Sequence, residues 1–327
     1  MTVQITIVGL GQIGGSFGLA LAGQKDMFER TGHDRDPDVA RQALKVGAVD
    51  KISANLPSAV SKADVVLLAL PTDQIRETMQ VISQDLKQDS VVLDTSPIKE
   101  TISLWAKELL PGHSHYVGLT PVINPNYLLM TDSGITAARE DLFQRGMLCI
   151  VTPPSAASDV IKLAADLTRM VGASALFVDP VENDSLMAAT HILPQLLSAA
   201  LLNATVDQPG WYEARKVAGR AYAEVTNPIV QLSEPKALSS SALYNRANVL
   251  RVIDGMVASL QALRSDIESE DGQALEARLE RARQGRMVWW SQRQAATWNE
   301  DASKPQEIST GSQIFGRLLG MGRDKKK

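Results

Sequence analysis

Short β-branched and aliphatic runs, each closed by glycine, proline or aspartate, alternate through the first half of the chain with segments whose apolar residues recur at helical spacing. "ITIVGLGQIGGSFGLALA" predicts a strand, a glycine turn and a helix carrying Phe17 and Leu21 on its apolar side. "ADVVLLALP" and "SVVLDTSP" predict two more strands, while "DPDVARQALKVGA" and "TDQIRETMQVISQDL" predict helices. In "HYVGLTPVINPNY" Tyr116 and Val117 form a short strand expected to run into a Gly, Thr, Pro turn, where an α/β enzyme can present a catalytic side chain. "MLCIVTPPSAASDVIKLAADLTRMVGASALFVDP" adds strand, helix and strand, with Ser155 or Ser158 as the cap and Gly172 at the helix end. Strands alternating with helices of this length predict a doubly wound parallel sheet with right-handed crossovers, extending to Asp179.

After Pro180 the pattern changes. "DSLMAATHILPQLLSAALLNATV" is apolar around nearly its whole circumference, which predicts a helix buried on all sides and a shared dimer core. From Asn248, Leu250, Ile253, Met256, Val257, Leu260, Leu263 and Ile267 predict a long amphipathic helix, and a further helix is expected from Gln273 to Arg293. The expected division is therefore a dinucleotide-binding domain over 1–179, a helical substrate and dimerisation domain over 180–296, and a disordered tail over 297–327.

Composition adds exclusions. A net charge of -4 over 327 residues supplies no basic field that would draw the protein to nucleic acid. The single cysteine, Cys149, rules out an intramolecular disulfide framework, and its place in "MLCIV" predicts a small core residue. No metal-ligand spacing is present. The chain opens without a secretory leader and shows no uninterrupted membrane-length apolar stretch, so a cytoplasmic protein is expected.

"GLGQIGGS" places Gly9, Gly11 and Gly14 in G-x-G-x-x-G spacing around Gln12 and Ile13. The first glycine permits the tight turn, the second lets backbone approach a pyrophosphate, and the third lets the helix pack on its strand with its N-terminus towards the phosphates. The motif follows a predicted strand and opens a predicted helix, and Asp34 lies 20 residues beyond Gly14. A carboxylate there hydrogen-bonds a ribose 2′-hydroxyl and repels a 2′-phosphate, which favours NAD and leaves NADP as the alternative. Arg35 can stack on adenine or pair with a phosphate. Leu70, Pro71 and Thr72 are expected to form another wall of the cleft, in a Rossmann-type domain.

With "HDRDP", "ADVVLLALP", "DTSPIK", "GLTP" and a helical domain opening after "DP", the layout resembles the prephenate and arogenate dehydrogenase family over residues 1–293. The resemblance implies transfer of a hydride to the nicotinamide from the ring carbon that bears the hydroxyl, with loss of carbon dioxide aromatising the ring, as in tyrosine biosynthesis. It also implies a turn histidine that contacts the hydroxyl, a substrate-binding arginine and a homodimer.

This chain departs from the pattern. Thr120 stands at the turn histidine, and a threonine hydroxyl has no pKa near neutrality. The family's "DxxSVK" becomes "DTSPIK", with Pro97 at the serine position, Ser96 before it and Lys99 retained. Its "HD" becomes Asn183 and Asp184; its "SHLPH" becomes "THILPQ", matching His191 and putting Gln195 at the second histidine. Ile229 falls at the arginine position, with Arg220 and Arg246 nearby. The expected catalytic candidates are Thr120, His191 and Lys99; the expected substrate contacts are Ser96, Asn124, Gln195 and Arg246. His113 and His115 precede their strand and are expected opposite the ligand crevice. Three readings remain open: a dehydrogenase of the family's type, a relative with a changed small-acid substrate, and a dinucleotide-binding regulatory protein without turnover.

Overall fold

The computed structural model describes residues 2–153, 156–230 and 234–296. Eight strands form one sheet: β1 (Val3–Val8), β2 (Phe28–His33), β3 (Lys51–Ile52), β4 (Val65–Leu68), β5 (Val91–Asp94), β6 (His115–Val122), β7 (Met147–Val151) and β8 (Ser174–Phe177). Their order is β3-β2-β1-β4-β5-β6-β7-β8. The order reverses direction at β1, which puts the ligand crevice outside the carboxyl ends of β1 and β4.

One pairing departs from the expected parallel sheet. β6 and β7 run antiparallel, with Thr120 opposite Cys149. The chain between them forms two 3-10 turns, Pro125–Tyr127 and Gly134–Ala137, and no crossover helix, so it returns in the opposite direction. β6 also extends to Val122, so Thr120 is a paired strand residue and not part of a turn. Its backbone is held by the sheet, and its side chain is buried.

Side-chain alternation divides the core between the two faces of the sheet. Val65 and Leu67 of β4 pack with Ile5, Ile7, Phe17, Leu93, Phe143 and Leu163, whereas Val66 and Leu68 pack with Ile75, Met79, Val92, Ile102 and Trp105. The second cluster also takes in Ile192, Leu238 and Val249 from the helical region, so that face is completed by the second half of the chain. Each fully buried aliphatic side chain contributes about 1.5–3 kcal/mol relative to exposure. Cys149 is buried in β7, and burial raises its thiol pKa, in keeping with a core residue.

Helix boundaries differ from expectation in small ways. The helix Ser158–Met170 has Ala157 at its N-cap without a side-chain cap bond, while Ser155 lies outside the described residues; Gly172, at φ +83°, follows the helix end as expected. The two late helices run Arg246–Glu268 and Gly272–Ala295. The final helix turns back to the sheet region, where the buried Arg293 donates to the carbonyls of Ile123 and Arg145. The expected tail, 297–327, lies outside the described residues.

The apolar helix after Pro180 is not buried by its own chain. Residues 180–205 are long and apolar enough to cross a bilayer by length and composition, which corrects the expectation from sequence, yet only 17% of the apolar window is buried. Helices Pro180–Met187 and Leu193–Thr205 are joined by a π turn, Ala188–Ile192. Pro194 causes it: lacking an N–H, it cannot donate to the carbonyl four residues back, at Thr190. Gln195 Nε2 then donates to the His191 carbonyl at 2.7 Å.

Candidate active site

The loop between β1 and the helix Gln12–Ala20 has the geometry its glycines predict. Gly9 sits at φ +89°, and a Cβ there would come within 2.3 Å of the Ala69 carbonyl oxygen. A Cβ on Gly14 would meet the Gly9 carbonyl oxygen at 2.0 Å, so close packing of helix on strand requires glycine. Gly11 differs, because a Cβ there meets nothing within 4 Å; its glycine leaves room for a ligand and is not required by packing. Gln12 and Ile13 open the helix, directing its first N–H groups to the crevice.

Asp34 follows β2 and faces this loop. One carboxylate oxygen accepts the Leu10 N–H at 2.8 Å and the other accepts the Asp36 N–H at 2.9 Å. These two bonds fix its orientation beside the glycine turn, and a carboxylate retains lone pairs for a ribose hydroxyl. Arg35 is exposed and forms an ion pair with Glu234 from the helical region, which raises the guanidinium pKa. Leu70 and Pro71 line the end of β4, with a Leu70 methyl 2.9 Å from the position of a Gly9 Cβ. Thr72 turns away: it is buried and shares a 2.8 Å hydrogen bond with the Ser241 hydroxyl, so it secures the helical region and is not a free wall of the cleft.

Lys99 is held inside the protein by the strand that precedes it. It is fully buried, its Nζ 2.5 Å from Asp94 Oδ2 and 3.0 Å from the Asp94 carbonyl. Tyr116 donates to the same Asp94 oxygen at 3.2 Å. Burial lowers the Lys99 pKa against the opposing pull of Asp94, and burial raises that of Tyr116 well above its usual value. A Cβ on Gly118 would lie 2.6 Å from the Lys99 stem, so that glycine admits the lysine between strands.

Thr120, the second catalytic candidate, donates to Asn183 Oδ1 at 2.9 Å, and Asn183 Nδ2 donates to the Pro97 carbonyl at 3.0 Å. Asp184 accepts the N–H groups of Lys99 at 2.6 Å and Glu100 at 3.1 Å, capping the helix Glu100–Leu109 from the other half of the chain. Asn245 Nδ2 holds the Asp184 carbonyl at 2.7 Å. Burial raises the Asp184 pKa against these hydrogen bonds. Asn183 and Asp184 therefore join the sheet to the helices at the point where Thr120 faces them.

His191 lies in the π turn. Its ring reaches solvent while surrounding protein disfavours its charged form, which lowers its pKa below the usual value. Arg246 is exposed and forms no ion pair among the described residues, whereas Arg220 pairs with Glu224. Two expected substrate contacts are occupied locally. Ser96 donates to the Ile98 carbonyl at 3.2 Å within its own turn, and Asn124 accepts the Asn126 N–H and donates to the Asp141 carbonyl at 3.1 Å. Both act as turn-formers here. His115 begins β6, at the strand end opposite the crevice as expected, and His113 bonds the Leu86 carbonyl. Asp94, Tyr116 and Glu234 were not expected as site residues; only Asp94, an acid ending a buried strand, carries a signal in sequence.

Comparison with known proteins identifies the family and the fold. Residues 17–176 match the family model for the prephenate dehydrogenase nucleotide-binding domain, and residues 179–281 match the prephenate dehydrogenase dimerization domain. The chain is similar to the cyclohexadienyl dehydrogenase of Zymomonas mobilis, at 24% identity over 88% of this chain and 97% of that protein. It is also similar to the prephenate dehydrogenase of Bacillus subtilis, at 23% identity over 83% of this chain and 72% of that protein. Among solved structures, prephenate dehydrogenase from A. aeolicus in complex with hydroxyphenyl propionate and NAD+ shares the fold at a TM-score of 0.77 and 22% identity, covering 88% of this chain and 98% of that one.

Proposed function

Since the chain belongs to the prephenate dehydrogenase family, we propose that it is an NAD-dependent dehydrogenase of a cyclohexadienyl acid, prephenate or arogenate, acting as a homodimer. The observation that carries the reading is the loop in which Gly9 and Gly14 are sterically required, Gly11 is left open and Asp34 is anchored beside them. Bound NAD supplies the hydride acceptor. Gly9, Gly11 and Gly14 with the helix start at Gln12 and Ile13 hold the pyrophosphate, Asp34 takes the ribose hydroxyls, and Leu70 and Pro71 flank the nucleotide. Residues 1–179 form the dinucleotide-binding domain and 180–296 the helical domain, whose apolar helix over 180–205 is covered by a second copy.

Loss of the hydride must be accompanied by loss of the hydroxyl proton. Neither Thr120 nor Asn183 titrates near neutrality, and Lys99 is held by Asp94, so His191 is the proposed acceptor. The family spacing "SHLPH" separates its histidines by three positions, whereas His191 and Gln195 are four apart. His191 lies in the π turn, and Gln195 is tied to it by a 2.7 Å bond from its Nε2 to the His191 carbonyl. Arg246, unpaired among the described residues, is the proposed contact for a substrate carboxylate.

The neutral Thr120–Asn183 pair favours a second reading, in which the dinucleotide site is kept while the substrate differs. Incubation with prephenate, and separately arogenate, plus NAD separates the two. Reduced nicotinamide with release of carbon dioxide supports the first, and NAD binding without reduction supports the second.

A further inference from the structure

We infer that Glu234, carried by the helical region, is a specificity-determining residue that makes the nucleotide site reject a 2′-phosphate by occupying Arg35. The inference rests on the dinucleotide-site reading above and assigns a role to a residue outside the loop.

Arg35 directly follows Asp34, whose carboxylate is fixed against the Leu10 N–H of the glycine loop. A guanidinium in that place is the group expected to accept a 2′-phosphate, since its fork matches phosphate oxygens. Here one arm of the fork is already engaged: Arg35 Nη2 donates to Glu234 Oε1, 199 positions along the chain, while the side chain stays largely exposed. Asp34 and Asp73 also act on Arg35 electrostatically. Asp73 is itself buried, with its Oδ1 unpartnered and its Oδ2 facing Lys236 at 3.6 Å. Glu234, Asp34 and Asp73 thus act on Arg35, and Lys236 faces Asp73. A ribose hydroxyl can donate to this acidic edge. A 2′-phosphate reaching the open arms of Arg35 would sit beside the Glu234 carboxylate and compete with it for the guanidinium.

Glu234 is positioned for this by its own element. It precedes Pro235 at the start of the helix Pro235–Tyr244, and that helix is tied to the β4 side of the crevice by the Thr72–Ser241 hydroxyl bond. Both ends of the segment are thus fixed to the nucleotide-binding half of the chain. NAD preference therefore depends on a residue of the helical domain as well as on Asp34.

The test is titration of the full-length protein with NAD and with NADP, comparing wild type, Glu234→Gln, Arg35→Gln and the double variant at low ionic strength. The expected result for Glu234→Gln is a fall of about two- to fivefold in the ratio of the NADP to the NAD dissociation constant, diminishing with added salt because the pair is partly exposed. In the Arg35→Gln background the same substitution is expected to lose most of that effect, because there is no guanidinium to release. An unchanged ratio in Glu234→Gln, or an equal change with and without Arg35, overturns the inference while leaving NAD binding intact. Absence of binding of either dinucleotide to the wild type overturns the functional reading and this inference together.

Discussion

The Thr120 hydroxyl donates a 2.9 Å hydrogen bond to the Asn183 side-chain oxygen, and both residues are buried where the sheet meets the helical region. Thr120→Val keeps the shape and removes the donor, leaving Asn183 Oδ1 without that partner. The expected cost is about 1–3 kcal/mol, the penalty for an unsatisfied buried acceptor. Urea unfolding checks this: the midpoint should fall while the slope stays the same, and an unshifted midpoint rejects the bond as a stabilising contact.

His191 is expected to set the acid limb of the activity profile. A base accepts a proton only when neutral, so turnover falls as pH drops through its pKa. The surrounding protein, by displacing water from part of the ring, places that pKa below the usual 6.5. The value of kcat/KM should therefore stay level as pH falls from neutrality to the ordinary histidine range and decline only below it. His191→Gln should remove the inflection along with most of the activity, and an inflection that survives assigns the proton to another group.

Lys99 and Asp94 form a fully buried ion pair, with Tyr116 donating to the same carboxylate. Lys99→Met leaves the Asp94 carboxyl in the interior without its cationic partner and is expected to destabilise the protein by about 3–5 kcal/mol. Adding Asp94→Asn removes the stranded charge and should recover part of the loss. Thermal or urea unfolding of the two variants decides it; equal destabilisation of single and double variants would mean that packing, not charge, is what Lys99 supplies.

Two glycines of the nucleotide loop should respond differently. Gly14→Ala forces a Cβ to 2.0 Å from the Gly9 carbonyl oxygen, so both folding stability and NAD binding should suffer. Gly11→Ala meets no protein atom within 4 Å. Its stability should stay within about 0.5 kcal/mol of wild type. NAD affinity should nonetheless fall, on the order of tenfold or more, because the methyl occupies the space left for the pyrophosphate. Calorimetric titration beside unfolding curves separates the two effects, and equal loss of stability in both variants contradicts the ligand role of Gly11.

Asp184 caps the helix Glu100–Leu109 from across the chain. Asp184→Ala should cost about 1–2 kcal/mol, the range for loss of an N-cap acceptor. Because the bond joins the two halves, hydrogen exchange should rise in that helix and around Asn245 together. Exchange confined to one of them would show that the halves do not depend on this contact.

The amino-acid sequence by itself determined the elements that rest on local chemistry. Alternating apolar runs set the strands, and the Gly9, Gly11 and Gly14 spacing with Asp34 beyond it set the nucleotide loop, because a turn with positive φ at Gly9 and a contact that would bring a Gly14 Cβ within 2.0 Å of the Gly9 carbonyl oxygen admit little but glycine. Tertiary structure alone decided the rest. The antiparallel return that puts Thr120 inside β6, the burial of Lys99 against Asp94, and the pairing of Arg35 with Glu234 each join residues whose partners lie on other elements. Hydrophobic period reports which face of an element is buried, not which polar group waits on the other side. Thr120 and Asn183, 63 positions apart, become a single hydrogen-bonded unit only when β6 and the first helix of the second half meet.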